Sequence, residues 1–566
     1  MRKLSFCFTV VGFTLLNVCS LTCTAQTFSW ARSMGGSNND RGKSIAVDKS
    51  GNVYTTGEFF GTVDFNPGPG VFNLSSSGYA EVFVSKLDVS GDFVWAKQLG
   101  GGTYDAGNGI AVDDSGNVYI AGNFSGIADF DPGSGTYNLT SVSNTADIFI
   151  SKLNSSGNLV WAKQIGSSDS DAANAIVIDD SGYVYTTGSF WGTVDFDPGS
   201  GIFNLTSGTS WDVFISKLDA SGNFVWAKKI GSSVNDNGCS IALDEAGGIY
   251  TAGWFGGTAD FDPNAGVINL TSMGSTDIFV SKLDASGNFV WAKQMGSTGV
   301  DEGQDIVLDD SANVYSTGYF NNTVDFDPNG GTFDLTSAGT YDVFISKLDS
   351  AGNFVWAKNM GGTVADYGSS LVVDSSGNLD IIGTFSGTAD FDPGTGAFNL
   401  TSAGNTDVFI SKLDTSGDFI WAMKMGASQG DVGISIATDT SGNIYTTGSY
   451  NGTIDCDPGA GTYYLTSYAI SDIFVHKMSA ELISINDLQN DPLMITICPN
   501  PTNGKMRLEY QNNSEEMKLE VYNMMSERIL QQQISNELDL SNSPKGMYFV
   551  KIYEGTKICT KKIVVQ

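Results

Sequence analysis

Short apolar runs separated by polar turns recur along most of the chain. Within residues 223–288 four such runs, each bounded by Gly, Asp, Asn or Ser, are Phe224–Ala227, Ile241–Leu243, Ile249–Ala252 and Ile278–Leu283. Runs of this length and composition predict strands, and no stretch shows a helical period. The strands are apolar on both faces, which predicts sheets that are covered on both sides. The pattern therefore predicts an all-β chain of stacked four-stranded sheets.

This four-strand pattern repeats every 65 or 66 residues, and each copy carries a tryptophan within a version of the phrase NFVWAKQMG. A fixed period of this kind is typical of repeat architectures. Tryptophan is the largest apolar side chain available to the strand, so we expect each copy to be a buried anchor. The tryptophans on the period are Trp30, Trp95, Trp161, Trp226, Trp291, Trp356 and Trp421.

The two ends of the repeat region complement each other. A lone copy of the tryptophan strand, Phe28–Arg32, comes first, and three strands without a fourth, Ser435–Asp439, Asn443–Gly448 and Asp472–Met478, come last. If the first strand completes the last sheet, the ring has no open edge. A solenoid would need polar capping repeats, and none is visible. We therefore predict a seven-bladed β-propeller over residues 27–478, with four-stranded blades and a ring closed by the N-terminal strand.

The first 25 residues differ from the repeats and predict a signal peptide. Arg2 and Lys3 precede an apolar run, and a small residue, Ala25, ends the segment. We expect cleavage before Gln26. The apolar run is short for a membrane span, and no later stretch of the sequence is a candidate transmembrane segment.

After the repeats we predict a polar linker at residues 479–492 and a small β-sandwich at residues 493–566. This last domain contains Cys498 and Cys559, which would be able to pair in an oxidising compartment. The four cysteines outside the signal peptide have neither metal-type spacing nor the density of a disulfide framework.

Composition and charge narrow the range of partners. Hydrophobic residues make up 41% of the chain and charged residues 16%, which is a globular composition. The net charge of −33 repels phosphate backbones and anionic membranes, so we expect no nucleic-acid partner. An acidic surface suits cations, or a secreted protein that must stay soluble. We expect the protein to be a monomer.

A second recurring phrase, Asp-Phe-Asp-Pro-Gly, offers two carboxylates at positions i and i+2. On a strand such a pair points to one face, where a hard cation such as calcium would bind. The competing interpretation is a turn, since Pro fixes φ and Gly accepts a positive φ. The phrase also lacks the further oxygen ligands of an EF-hand loop. The candidate calcium ligands are Asp129, Asp131, Asp195, Asp197, Asp390 and Asp392.

Three tryptophans fall outside the fixed interval: Trp191, Trp211 and Trp254. A single binding site must use residues that the repeats do not share, and these three lie in the third and fourth sets of strands. Exposed tryptophans would stack on sugars or anchor a cell-surface protein. The competing interpretation is that they fill gaps beneath long loops.

The sequence offers little for catalysis, and we single out no catalytic residue. Its one histidine, His476, stands where the other repeats have a serine within a strand, so we expect it to be a substituted strand residue and not a catalyst. Without a second histidine, Ser-His and Cys-His schemes lack a base. We therefore expect a non-catalytic binding, adhesion or structural protein. The alternative is an extracellular polysaccharide hydrolase or lyase with an acidic site on one propeller face.

The repeats resemble the bacterial propeller repeats known as SBBP. The matching phrases are the strand pair at Ser44–Gly57 and the segment Asp212–Trp226, with their copies in the other repeats. This resemblance implies a secreted, often surface-associated protein. It implies no reaction, because one fold hosts many functions.

The last domain resembles the C-terminal sorting domain of the type IX (Por) secretion system. One departure is Cys498, which stands where an aromatic residue usually precedes Pro-Asn-Pro. The resemblance implies export by the type IX machinery of a Gram-negative bacterium, removal of residues 493–566, and release or attachment to surface lipopolysaccharide. The alternative is a terminal binding module of the same sandwich class. The matching phrases are Cys498–Gly504, Leu519–Asn523, Leu538–Ser541, Gly546–Ile552 and Lys561–Val565.

Overall fold

The structure is a computed structural model, and it divides into two compact regions. The repeat region is Thr27–Ser479, and the C-terminal region contains Ala480–Gln566. The described residues are 23–77, 79–459, 461–483, 496–498, 504–509, 517–523, 528–535, 537–544, 546–554 and 557–565.

Each repeat contributes a first and a second strand joined by a tight turn. In the first repeat, Asp48 Oδ1 accepts the Ser50 and Asn52 N–H groups at 2.9 Å each, and Gly51 takes a φ of 78°. The first strands are Arg41–Val47, Ala106–Val112, Ala172–Ile178, Asp236–Leu243, Glu302–Leu308, Tyr367–Val373 and Val432–Thr438. The second strands are Val53–Phe59, Val118–Ser125, Val184–Phe190, Ile249–Phe255, Val314–Phe320, Leu379–Phe385 and Ile444–Tyr450.

The third and fourth strands of each repeat complete an antiparallel sheet in the order first, second, third, fourth. We number the repeats by their first strands. The third strands are Glu81–Leu87, Ala146–Leu153, Asp212–Leu218, Asp277–Leu283, Asp342–Leu348, Asp407–Leu413 and Asp472–Ile483. The fourth strands are Phe93–Gly101, Leu159–Ile165, Phe224–Ile230, Phe289–Met295, Phe354–Gly362, Phe419–Met425 and, in the sheet of the last repeat, Cys23–Gly36.

A short hairpin lies between the second and third strands of each repeat. Its first strand borders the fourth strand of the preceding sheet, as in the pairing of Gly100 with Asp129. The only helix in the described residues is the 3-10 turn Val142–Asn144. The hairpins are Thr62–Asp64 with Asn73–Ser75, Ile127–Asp129 with Asn138–Thr140, Thr193–Asp195 with Asn204–Thr206, Thr258–Asp260 with Asn269–Thr271, Thr323–Asp325 with Asp334–Thr336, Thr388–Asp390 with Asn399–Thr401, and Thr453–Asp455 with Tyr464–Thr466.

The first described strand joins the two ends of the repeat region. Cys23–Gly36 hydrogen-bonds along Asp472–Ile483. The first repeat also contacts the last: the Asp40 N–H donates to the Ser471 carbonyl at 2.9 Å, and the Ile45 N–H donates to Ser435 Oγ at 3.3 Å.

The tryptophans on the fixed interval connect neighbouring repeats. Trp30, Trp291 and Trp421 are buried, but the other four are only partly buried, so the expectation of full burial was wrong for them. The edge of the indole instead stays near the surface, where its Nε1 donates a hydrogen bond to a turn of the next repeat. These indole hydrogen bonds, all 3.2 or 3.3 Å, run from Trp30 to Val89, Trp95 to Ser155, Trp161 to Ala220, Trp291 to Ser350 and Trp356 to Thr415, each to the carbonyl oxygen.

The C-terminal region contains two small sheets that share one apolar core. Met506 and Leu538 from one sheet pack with Leu519, Val521 and Val550 from the other. The first sheet consists of Thr496–Cys498, Lys505–Glu509 and Glu537–Asp539. The second consists of Arg528–Gln533, Lys518–Asn523, Gly546–Glu554 and Lys557–Val565.

Several expectations at the chain ends lie wholly or partly outside the described residues. The signal peptide falls outside apart from the backbone of Cys23–Ala25, which already belongs to the first strand. The strand Asp472–Ile483 runs five residues into the stretch expected to be a linker, and the rest of that stretch is outside. The side chains of Cys498 and Cys559 are outside as well.

Candidate binding surface

The three irregular tryptophans lie at one end of the sheets, which we call the upper end. Here first and third strands begin and second strands end, because the strands are antiparallel. Trp191 follows the second strand of repeat three, and Trp211 precedes its third strand. Trp254 is near the end of the second strand of repeat four. The fold therefore brings together residues that are far apart in the chain.

Trp191 and Trp211 form an edge-to-face pair, with ring centroids 5.8 Å apart and an interplanar angle of 68°. Trp211 is fixed further by a 3.0 Å hydrogen bond from Nε1 to the Ser170 carbonyl. Nevertheless 40% of Trp191 and 37% of Trp211 stay exposed. These rings are held in place without being covered, which is the condition for a stacking platform.

A cavity of about 350 Å³ opens beside Trp211 and Trp254, and Trp191 does not line it. Trp211 and Trp254 supply aromatic walls, and Asn174, Asn235 and Asn237 supply side-chain amides. The amides are partly ordered by one another, because Asn174 Nδ2 donates to Asn237 Oδ1 at 2.9 Å. A pocket with aromatic walls and a few fixed polar groups is typical of small-molecule sites.

Small residues line the cavity at positions that tyrosines occupy between repeats five and six. Ser189 lines it, and the residue two repeats later at the same position is Tyr319. Tyr367 likewise occupies the position of Asn237 two repeats later. In repeats five and six the Tyr319 and Tyr367 rings touch, with centroids 5.0 Å apart. Between repeats five and six, tyrosine rings therefore occupy the positions that line the cavity between repeats three and four.

A buried carboxylate lies beneath each of the loops that carry the tryptophans. Asp171 accepts the Ser167 N–H at 2.8 Å and the Trp191 N–H at 2.9 Å, one on each carboxylate oxygen. Asp236 accepts the Ser232 and Gly256 N–H groups in the same way. Burial raises the pKa of both carboxyls from 3.8 to about 7. Because both oxygens hold loop backbone, these acids position the loops.

The same carboxylate recurs in every repeat, always accepting the N–H four residues before it and the N–H twenty residues after it. The shorter phrase Asp-x-Gly marks six of the seven copies. Asp171 escapes it because its repeat reads Asp-Ala-Ala-Asn-Ala-Ile. The seven carboxylates are those of Asp40, Asp105, Asp171, Asp236, Asp301, Asp366 and Asp431.

These carboxylates predict that the protein becomes less stable as the pH rises. Burial raises their pKa from 3.8 to about 6 or 7, so between pH 4 and 7 the folded chain binds more protons than the unfolded chain. We expect a higher melting temperature at about pH 5 than at about pH 8, measured by calorimetry in 0.5 M NaCl to screen the net charge. Asp236→Asn should flatten the slope. A melting temperature that rises over this interval would contradict the prediction.

The candidate calcium ligands lie at the tips of the short hairpins, where they organise a turn. Asp129 Oδ1 accepts the Asp131 N–H at 3.0 Å and the Tyr137 N–H at 2.8 Å, and Asp131 Oδ1 accepts the Gly133 N–H at 2.9 Å. The same pattern holds at Asp195 and Asp197, and at Asp390 and Asp392. Among the described residues no group of three or more His, Cys, Asp or Glu is arranged to hold a metal.

His476 is fully buried within the last repeat. Its ring stacks on Phe28 at 5.7 Å between centroids, and Nδ1 is 3.3 Å from Thr446 Oγ1. Burial lowers the pKa of His476 to about 3, so the imidazole is neutral at physiological pH. It is therefore a packing residue and offers no base to the surface.

Two families match parts of this chain. Residues 30–58, 94–127, 160–193 and 420–454 match SBBP, described as a beta-propeller repeat, and residues 496–566 match Por_Secre_tail, described as a secretion system C-terminal sorting domain. The chain thus carries SBBP repeats and ends in a sorting domain. This domain indicates export by the type IX secretion system and an extracellular or cell-surface location. No helix in the described residues is long and apolar enough to cross a membrane.

Two curated proteins are similar to this chain. A WD repeat-containing protein of Acanthamoeba polyphaga mimivirus is 24% identical over 78% of this chain and 37% of its own length. The regulatory protein FlaEY of Caulobacter vibrioides is 29% identical over 26% of this chain and 17% of its own length. The chain thus spans well under half of either relative.

Two solved structures also show similarity. The Neurospora crassa Pan2 WD40 domain is 10% identical with a TM-score of 0.36, over 77% of this chain and 88% of that one. The extracellular domain of a hybrid two-component system from B. thetaiotaomicron is 12% identical with a TM-score of 0.25, over 94% of this chain and 82% of that one.

Proposed function

We propose that this chain, in which SBBP repeats precede a type IX sorting domain, is a secreted or surface-attached propeller that binds a glycan without catalysis. In this proposal residues 27–478 form seven blades, and the N-terminal strand closes the ring. Residues 493–566 engage the secretion machinery. The contacts of Asp40 and Ile45 with the last repeat support closure.

The cavity at the upper end is the observation that carries the proposed binding function. Aromatic faces pack against the C–H faces of a sugar, and fixed side-chain amides hydrogen-bond its hydroxyl groups. Trp211, Trp254, Asn174 and Asn237 supply both kinds of group. The net charge of −33 disfavours an anionic ligand, so the arrangement fits a neutral saccharide.

The geometry of the acidic residues favours binding over hydrolysis. Asp171 and Asp236 line the cavity, but backbone N–H groups occupy both oxygens of each carboxylate. A glycosidase needs two carboxyl groups on opposite sides of the scissile bond that are free to reach it. Acids that hold loop backbone do not meet that requirement.

Replacing Trp211 tests the binding function. The equivalent residues in repeats four and six are Thr276 and Thr406, so Trp211→Thr has precedent in the same chain. We expect about a tenfold loss of affinity for the glycans bound, with little change in melting temperature because Trp211 is partly exposed. The measurement is a glycan array followed by calorimetric titration, with a parallel assay for hydrolysis.

A variant that fills the cavity provides a second test of the same site. Ser189→Tyr with Asn237→Tyr introduces the residues found at Tyr319 and Tyr367, which the fold already accommodates. This variant should also lose binding while it melts like the wild type. Unchanged binding by both variants would rule out the cavity as the site, and released sugar would favour the hydrolase or lyase.

A further inference from the structure

A second aromatic cluster lies at the upper end of repeats five and six. The rings of Tyr319, Tyr341 and Tyr367 contact one another, with centroids 5.0 to 5.7 Å apart. Each ring is partly exposed. Most other repeats place small or aliphatic residues at these three positions, so the cluster is a second local departure from the repeat.

A carboxylate completes this cluster. Glu302 accepts a hydrogen bond from the Tyr319 hydroxyl at 2.5 Å and another from Gln304 Nε2 at 3.2 Å. Its side chain is partly exposed. Burial raises the pKa of Glu302 above its usual range. The group combines aromatic faces with hydroxyl, amide and carboxyl groups, which is the same chemistry as in the tryptophan-lined cavity.

Repeat four lies between the two clusters and contributes Trp254. Trp254 and Tyr319 occupy the same position in adjacent repeats, 65 residues apart. Their sheets pack closely, since a Cβ added to Gly303 would lie 3.0 Å from the Gly253 carbonyl oxygen. The loops ahead of them also join, because the Asp301 N–H donates to the Thr276 carbonyl at 3.1 Å. The upper end of repeats three to six therefore carries aromatic residues on successive neighbouring sheets.

We infer that this aromatic arc, comprising Trp191, Trp211, Trp254, Tyr319, Tyr341 and Tyr367, binds several consecutive units of a neutral oligosaccharide. The inference rests on the proposed glycan-binding function and extends it from one cavity to a chain-length specificity. A linear saccharide repeats the same C–H face and hydroxyl pattern at each unit, as the arc repeats aromatic and polar groups from one sheet to the next. The six side chains of the arc are uncharged, which matches an uncharged ligand, and among the described residues Glu302 is the one acidic side chain hydrogen-bonded to them.

The test compares short and long probes on the full chain. Disaccharides and hexasaccharides of four neutral series would be titrated: β-1,4-glucan, β-1,3-glucan, β-1,4-mannan and α-1,4-glucan. The variant Tyr319→Ser with Tyr341→Thr introduces residues found at Ser189 and Thr276, so it should fold, and its melting temperature would be checked. We expect the wild type to bind the hexasaccharide of at least one series about tenfold more tightly than its disaccharide.

Each outcome decides between the inference and the function on which it rests. Loss of the hexasaccharide advantage in the tyrosine variant, with disaccharide affinity unchanged, supports the arc. Equal affinity for both lengths, or a tyrosine variant that binds like the wild type, overturns the arc and leaves the cavity intact. Failure of every saccharide to bind overturns the glycan-binding function and the arc with it. Unchanged binding in Trp211→Thr and in the cavity-filling variant rules out the cavity as the site, and the arc that includes it.

Discussion

Deletion of residues 27–36 is expected to lower the melting temperature of the repeat region by on the order of 10 °C. The deletion removes Trp30 and Met34, both buried in a core that also contains Tyr445 and Ile473 of the last repeat. Losing a buried tryptophan and a buried methionine costs about 3–5 and 2–5 kcal/mol. It also leaves the third strand of the last repeat with an unpaired edge. Calorimetry and limited proteolysis would measure the effect.

A grafted chain provides the control for this deletion. In the other repeats the third and fourth strands are joined by a turn such as Asp219–Asn223, with Gly222 at a φ of 75°. Placing residues 27–36 after Met478 through such a turn should restore the melting temperature, because the strand returns to the same partner. A truncated chain that melts like the wild type would show that the first strand does not hold the two ends together.

The sequence allowed the four main strands of each repeat to be predicted because their apolar runs are short, regular and bounded by turn residues. The short hairpin between the second and third strands was not predicted. The order of the strands at the two ends of the repeat region also predicted that the strand at Trp30 lies beside the last repeat. In the structure this strand pairs with the third strand of the last repeat. The indole hydrogen bonds between repeats were not predictable. They depend on how far one sheet is rotated from the next, and a single repeat does not contain that information.

The candidate site was predicted only in part, for a related reason. Trp191, Trp211 and Trp254 were visible because they interrupt a regular pattern. The cavity also depends on what is missing at Ser189 and Asn237, and small polar residues give no signal until Tyr319 and Tyr367 are seen at the equivalent positions. Asp171 is the one copy of its carboxylate that the phrase Asp-x-Gly does not mark, because its repeat has alanine where the others have glycine.

Repeat six contains a buried ion triad that replaces an aromatic contact found in the other repeats. In repeat five, for example, the Tyr315 hydroxyl donates a hydrogen bond to an aspartate, and the Lys347 ammonium lies 4.7 Å from the centroid of the tyrosine ring. In repeat six the tyrosine position is Asp380. Lys412 is 5% exposed and lies 2.8 Å from both Asp374 Oδ2 and Asp380 Oδ2.

Lys412→Met is therefore expected to destabilise the protein by about 3–5 kcal/mol at neutral pH, since it leaves two buried carboxylates without a cation. Lys347→Met is the matched control, where loss of a lysine over a tyrosine ring should cost about 1–2 kcal/mol. Both would be measured by chemical denaturation.

The double variant Asp380→Tyr, Lys412→Met separates buried charge from packing. It removes the unpaired acid and introduces the tyrosine used in the other repeats, so it should be more stable than Lys412→Met alone. Burial already raises the pKa of Asp380 to about 6 with Lys412 beside it, and removal of the cation raises it further. The deficit of Lys412→Met should therefore shrink as the pH falls towards 5, because the protonated acid is neutral. A deficit that is equal at pH 5 and pH 8 would mean that packing, and not buried charge, is what the lysine provides.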